Sequence, residues 1–151
     1  MMRLVRWCLL VPVIGVLSGC NSGVPEPAST EIPGTGLRVT LVRVATDPFL
    51  SRHNLTMTIE RAGGCTQTVD LFPDTGHVSR RNVYVTVKGL VYMVGQFDAR
   101  VIDTRACTIT LSEFRHLERE VIYVGTFDED TDARWRFVPA SERAERPFEK
   151  R

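Results

Sequence analysis

The feature that most constrains this chain is a hydrophobic period of two, repeated in short segments. In residues 55–60, for example, Leu55, Met57 and Ile59 alternate with polar residues, as expected for a strand with one buried face. Such segments recur about every eight to twelve residues and are separated by Gly, Pro, Asn and Asp. The pattern predicts an all-β fold, a single small antiparallel β-sandwich of about seven to nine short strands within residues 37–139.

One segment shows helical spacing instead. Residues 112–120 begin with Ser112, which can cap a helix, and they place Phe114 and Leu117 three positions apart. The segment is long enough for only one or two turns. It therefore predicts a short helix between two strands and leaves the fold class unchanged.

The N-terminus has the organisation of a secretory signal. Residues 1–6 carry Arg3 and Arg6 and no acid, and residues 7–17 are almost entirely apolar. This apolar run is shorter than the roughly 20 residues that a membrane-spanning helix needs. The segment is therefore expected to direct export and then to be removed.

The motif Leu17-Ser18-Gly19-Cys20 closes this segment and resembles the lipobox of bacterial lipoproteins. The resemblance implies cleavage before Cys20 and attachment of lipid to its sulfur and its new α-amine. In many Gram-negative lipoproteins an aspartate after the cysteine causes retention at the inner membrane. Because Asn21 stands there, the resemblance implies the periplasmic face of the outer membrane. The alternative is an ordinary cleavable signal with a coincidental cysteine.

The resemblance and the composition together predict four segments. Residues 1–19 are the signal peptide, and residues 20–36 are the lipidated N-terminus and a flexible tether rich in Pro, Gly, Ser and Thr. Residues 37–139 form the β-sandwich domain. Residues 140–151 are a tail of mixed charge without an apolar face.

The four cysteines have different predicted roles. Cys8 leaves with the signal peptide, and Cys20 carries the lipid. Cys65 and Cys107 remain as an even pair in an oxidising compartment, which predicts one structural disulfide. Two separate buried thiols are the alternative, since free cysteine packs as a small apolar residue.

Charge argues against a nucleic-acid partner. The net charge of the chain is +1, and removal of a segment that contains two arginines and no acid leaves −1. A basic stripe is therefore not expected.

The strand at residues 82–88 is the clearest in the sequence, and its polar side is the predicted partner-binding face because Tyr and Arg are favoured in binding hot spots. That face comprises Arg80, Arg81, Tyr84 and Lys88. The alternative is an ordinary solvated sheet face.

The chain shows no motif for catalysis or for metal binding. Acids at 128, 130 and 132 match the start of a calcium loop, but Ala133 and Pro139 replace the glycine and the glutamate that such a loop needs. A solvated hairpin tip is therefore the favoured interpretation. His53, His77 and His116 have no metal-ligand spacing, and no Gly-x-Ser-x-Gly motif or Gly-rich phosphate loop is present. No cofactor and no enzymatic activity are expected.

These features predict a membrane-anchored periplasmic lipoprotein with a structural, assembly or protein-binding role in the cell envelope. The first alternative is an inhibitor or immunity protein that neutralises an enzyme or a toxin. Small lipoproteins that inhibit lysozyme resemble this chain in architecture, although their Ser-Gly-x-x-Tyr signature is missing here. A hydrolase is the weaker alternative.

Overall fold

The computed structural model describes residues 23–47, 49–74, 78–112 and 120–148. The lipobox and most of the predicted helix at 112–120 lie outside the described residues. The described residues form ten strands in two antiparallel sheets, which confirms the all-β fold. The strands are β1 (Glu26–Ile32), β2 (Leu37–Ala45), β3 (His53–Arg61), β4 (Cys65–Asp70), β5 (Arg81–Thr86), β6 (Leu90–Val94), β7 (Ala99–Asp103), β8 (Thr108–Ser112), β9 (Val121–Glu129) and β10 (Trp135–Pro139).

The two sheets pack face to face over the main core. One sheet has the order β1-β2-β3-β4, and the other has the order β10-β9-β5-β6-β7-β8. Their inner faces carry the alternating apolar residues that the sequence pattern places on one side of each strand. The most deeply buried large side chains of this core include Leu37, Leu41, Leu55, Met57, Ile59, Ile102 and Phe127.

The tether prediction is wrong for residues 26–32, which form the edge strand β1 along β2. Its side chains Ala28 and Ile32 are buried in the core, with 6% and 2% of their surface exposed. Proline is tolerated on an edge strand because the missing N–H then faces solvent. The strand therefore forms despite Pro27, and the sandwich begins well before residue 37.

A β-bulge shapes the centre of the six-stranded sheet. The pairing of β5 with β9 shifts between Val83, which faces Gly125, and Tyr84, which faces Tyr123. The extra residue is Val124. Gly125 has a φ of 151°, and a Cβ built on it would lie 2.6 Å from the Val138 carbonyl oxygen and in contact with the Phe137 ring. Only glycine fits this close approach of β9 to β10.

Replacing Gly125 with alanine should lower the free energy of unfolding by about 2–3 kcal/mol, because the methyl group adds overpacking to an unfavourable φ. Gly34→Ala is the matched control, since Gly34 also has a positive φ of 73° but a Cβ added there would have no atom within 4 Å. Urea unfolding of the two variants measures the difference. Equal losses of stability would show that the contact with Val138 and Phe137 carries no cost.

The sandwich has two distinct ends. The chain enters at Gly23, where the Gly23 N–H donates to the Ala45 carbonyl at 3.0 Å. This entry end also holds the β2–β3 connection and the β9–β10 turn. The opposite end holds the turns at 33–36, 62–64 and 87–89.

The predicted disulfide is confirmed at the opposite end. Cys65 begins β4, Cys107 lies directly before β8, and the two are bonded with their Cα atoms 5.8 Å apart. Strands β4 and β8 are edge strands of different sheets. The bridge therefore joins the two sheets along one side of the sandwich.

Candidate functional site

A polar cavity of about 260 Å³ opens at the entry end of the sandwich. Its walls come from both sheets, from the segment before β5 and from the chain after β10. The lining residues are Arg43, Ser51, His53, Asp74, Val78, Ser79, Arg80, Asp128, Glu129 and Arg146. Hydroxyl, imidazole, carboxylate and guanidinium groups come together in this cavity.

A serine, a histidine and an aspartate meet on one wall of this cavity. Ser79 Oγ donates to Asp74 Oδ2 at 2.7 Å and lies 3.3 Å from His53 Nδ1. The Asp74 Oδ2 atom is 3.6 Å from that same Nδ1. A catalytic triad needs the serine and the acid on different ring nitrogens, so that the ring can take the serine proton. Here the acid and the hydroxyl share Nδ1, and the geometry is not that of a triad.

The same aspartate ties the segment before β5 to the start of β3. The Asp74 N–H donates to the His53 carbonyl at 2.9 Å, and the Val78 N–H donates to Asp74 Oδ1 at 3.3 Å. Asp74 is buried, with 6% of its surface exposed. Its hydrogen bonds are therefore structural, and the sequence spacing of His53, Asp74 and Ser79 contains no signal that would have brought them together.

Ion pairs between arginine and acids also line this cavity. The buried guanidinium of Arg43 pairs with Glu26 at 2.7 Å and with Glu129 at 2.6 Å, and its Cζ lies 4.9 Å from the centre of a Trp135 ring. Asp128 pairs with Arg143 at 2.7 Å and also with Arg146. At the entry end, the Arg43 pairs therefore join β1, β2 and β9, and the Asp128 pairs join β9 to the C-terminal segment, residues 140–148.

Arg80 lines the cavity and has a buried guanidinium nitrogen. Among the described residues, its Nε is buried without a hydrogen-bond partner. Burial lowers the pKa of Arg80, Arg146 lowers it further by repulsion, and Asp128 partly offsets both effects. The neighbouring Arg146 is already paired with Asp128, and the carboxylates of Asp74, Asp128 and Glu129 balance the arginines that line the cavity.

Two of the four residues of the predicted partner-binding face, Tyr84 and Arg81, are buried. The prediction that they contact a partner is therefore wrong. Tyr84 has 5% and Arg81 has 2% of its surface exposed. Arg80 is half-buried, with its Cζ 4.4 Å from the centre of the Phe148 ring, and Lys88 is exposed in the β5–β6 turn. The alternation correctly places Tyr84 on the outer side of β5. That side is covered, however, by the protein's own C-terminal segment.

This C-terminal segment, residues 140–148, lies along the outer face of the six-stranded sheet. The Tyr84 hydroxyl donates to Glu145 Oε1 at 2.8 Å, and the Asn82 side-chain amide donates to the Arg146 carbonyl at 3.0 Å. Phe148 packs against a second apolar cluster of Tyr84, Tyr92, Val94 and Ala99. Burial and the hydrogen bond to Glu145 raise the pKa of Tyr84. The predicted charged tail is therefore, as far as residue 148, a structural part of the sandwich.

The acidic loop at 128–132 directs its carboxylates to its own backbone and to arginines. Asp130 Oδ1 accepts hydrogen bonds from the N–H groups of Arg134 at 3.0 Å and Asp132 at 2.9 Å, and its Oδ2 accepts one from Arg136 Nε at 2.9 Å. These bonds lower the pKa of Asp130 to about 2.

Among the described residues, no group of three or more His, Cys, Asp or Glu side chains is arranged to hold a metal ion. His77 and His116 lie outside those residues.

Comparison of the chain with protein-family models, with curated protein sequences and with solved structures found no significant match. Within the described part of the chain, no helix has the length and apolar character needed to cross a membrane.

Proposed function

We propose that this chain is a lipid-anchored lipoprotein of the bacterial outer membrane whose sandwich binds another protein of the cell envelope. The motif Leu17-Ser18-Gly19-Cys20 supports the anchor. The first described residue, Gly23, already hydrogen-bonds to β2 and lies three positions after Cys20, which suits an anchor directly before the sandwich. The disulfide between Cys65 and Cys107 suits an exported domain.

The observation that carries the binding role is an exposed apolar patch at the opposite end. Val87, directly after β5, is 73% exposed, and Ile122 on the neighbouring β9 is 61% exposed. Ile122 pairs with Val85, two residues before Val87, so the two exposed residues lie at the same end of neighbouring strands. On a domain held at its entry end, this patch points away from the membrane. Exposed apolar patches of this kind are typical of protein-binding surfaces.

We favour binding over hydrolysis because of the hydrogen bonds that Ser79 makes in the cavity. The Ser79 hydroxyl donates a hydrogen bond to Asp74 rather than to the imidazole of His53. This arrangement gives the serine no base in the position that activates a nucleophile, which supports binding over hydrolysis. The alternative of an inhibitor or immunity protein uses the same exposed patch and differs only in the identity of the partner.

The anchor is tested by metabolic labelling with palmitate. The wild-type protein should incorporate label and Cys20→Ala should incorporate none, because the thiol is the nucleophile that accepts the diacylglycerol. Cys8→Ala is the matched control, since Cys8 lies within the predicted signal and should leave labelling unchanged. Label that persists in Cys20→Ala would overturn the anchor.

The partner-binding role is tested by crosslinking in intact envelopes followed by affinity purification. Wild-type protein should recover a specific partner, and the double variant Val87→Ser/Ile122→Ser should lose most of it. Leu111→Ser is the control, because Leu111 is 57% exposed on β8, away from the patch. Recovery of a multi-protein envelope complex supports an assembly role, and one enzyme or toxin at equal stoichiometry supports inhibition. Unchanged recovery with the double variant would contradict this binding surface.

A further inference from the structure

A second group of exposed apolar side chains lies at the entry end of the sandwich. Phe49 is 93% exposed, Leu50 is 49% exposed, and Val24 is 82% exposed. Phe49 and Leu50 lie in the β2–β3 connection, and Val24 lies two residues before the start of β1. A single exposed apolar residue is ordinary on a protein surface, but three at one end form a distinct feature.

The backbone around Phe49 and Leu50 is held by hydrogen bonds. Asp47 Oδ1 accepts bonds from the Phe49 N–H at 2.8 Å and the Leu50 N–H at 3.0 Å. At the base of the connection, the Thr46 N–H donates to the Arg52 carbonyl at 2.9 Å. The two apolar side chains are therefore presented outwards on a structured support, and they contribute little to the core. Their exposure is maintained by the local backbone.

The predicted lipidation site lies close to this apolar tip. The Gly23 N–H bonds to the carbonyl of Ala45, which is the last residue of β2 before the connection. Cys20 precedes Gly23 by only three residues. Three residues span at most about 11 Å when fully extended. A lipid on Cys20 would therefore hold the entry end of the sandwich close to the bilayer surface.

We infer that Phe49 and Leu50 insert into the lipid bilayer beside the acyl chains on Cys20, with Val24 at the same interface. This inference rests on the proposed lipid anchor and adds an orientation to it. Apolar side chains at a membrane surface reach about 5–10 Å, to the boundary between headgroups and acyl chains. The exposed Arg52 beside them is able to contact lipid phosphates. The occupant of this surface is therefore the membrane, and the Val87 and Ile122 patch remains available to a partner.

Depth-dependent fluorescence quenching tests the inference. The full-length gene is expressed with Phe49→Trp, and the processed protein is purified from membranes and reconstituted in vesicles of phosphatidylethanolamine and phosphatidylglycerol that contain doxyl-labelled phosphatidylcholine. Val87→Trp is the matched control, because it places an indole at a similarly open position at the opposite end. The native Trp135 is buried, with 7% of its surface exposed, and the wild-type protein supplies its background signal.

The tryptophan at position 49 should shift its emission to shorter wavelength and lose intensity to the doxyl group, while the tryptophan at position 87 should do neither. Intact mass and vesicle flotation report the anchor separately. A lipidated, floating protein whose two tryptophans are equally unquenched overturns the insertion of Phe49 and leaves the anchor standing. A protein without lipid mass that does not float overturns the anchor and the insertion together. If the emission of the tryptophan at position 49 shifts to shorter wavelength only when a protein partner is added, and not in vesicles alone, then a protein and not the membrane covers this surface.

Discussion

Removing the disulfide by the double change Cys65→Ala/Cys107→Ala should lower the free energy of unfolding by about 4 kcal/mol. The bridge spans a sequence separation of 42 residues, and this length sets the entropy that the unfolded chain regains. A whole domain of this size is stable by about 5–15 kcal/mol, so the loss is a large share of the total. Alanine is used because Cys65 packs against the core, where a serine hydroxyl would add a separate cost.

Denaturant unfolding of the oxidised and the reduced wild-type protein provides the control for this prediction. The reduced protein should unfold at the same lower denaturant concentration as the double alanine variant, and the reductant should leave the variant unchanged. Both comparisons keep the folded contacts nearly constant and change mainly the unfolded chain. Equal midpoints for the oxidised and the reduced wild type would contradict a stabilising role for the bridge.

The strands could be predicted because their signal is local. Alternation at Leu55, Met57 and Ile59 is sufficient to indicate a half-buried strand, and the Gly63-Gly64 pair indicates the turn that follows it. Strand β1 could not be predicted in the same way, because its residues include proline and have the composition of a linker. Its only apolar signal is the pair Ala28 and Ile32, and those two side chains are buried by pairing with β2 and by packing against the opposite sheet.

The cavity and the covered face could not be predicted because their contacts are distant in sequence. The hydrogen bond between Tyr84 and Glu145 joins residues 61 positions apart, and the pair of Arg43 with Glu129 joins residues 86 positions apart. Alternation along β5 indicates that Tyr84 points away from the core. It carries no information about which other segment covers that side. The charged composition of residues 140–148 correctly indicates that most of them are exposed, but it does not indicate that Glu145 binds β5 and Arg143 binds β9.

Replacing Arg81 with alanine should lower the free energy of unfolding by about 3–5 kcal/mol, because the change leaves a buried carboxylate without one of its partners. The Arg81 guanidinium lies 3.5 Å from Asp98, whose side chain is 2% exposed, and it donates to the Phe72 carbonyl at 2.8 Å and the Arg80 carbonyl at 3.1 Å. Burial lowers the pKa of Arg81, and the charge of Asp98 opposes this shift. Gly95 makes room for the group, since a Cβ at that position would lie 2.5 Å from the guanidinium carbon.

Three further variants separate the buried interaction from a general effect of removing an arginine. Arg38→Ala should change stability by less than about 1 kcal/mol, because the Arg38 and Glu31 pair is 57% and 74% exposed. Arg81→Lys should recover little, since an ammonium group cannot reproduce the planar set of donors. In a double-mutant cycle, Asp98→Ala should cost much less in the Arg81→Ala background than in the wild type. If Arg81→Ala is as stable as Arg38→Ala, Arg81 is not a structural residue, and its role in partner binding is open again.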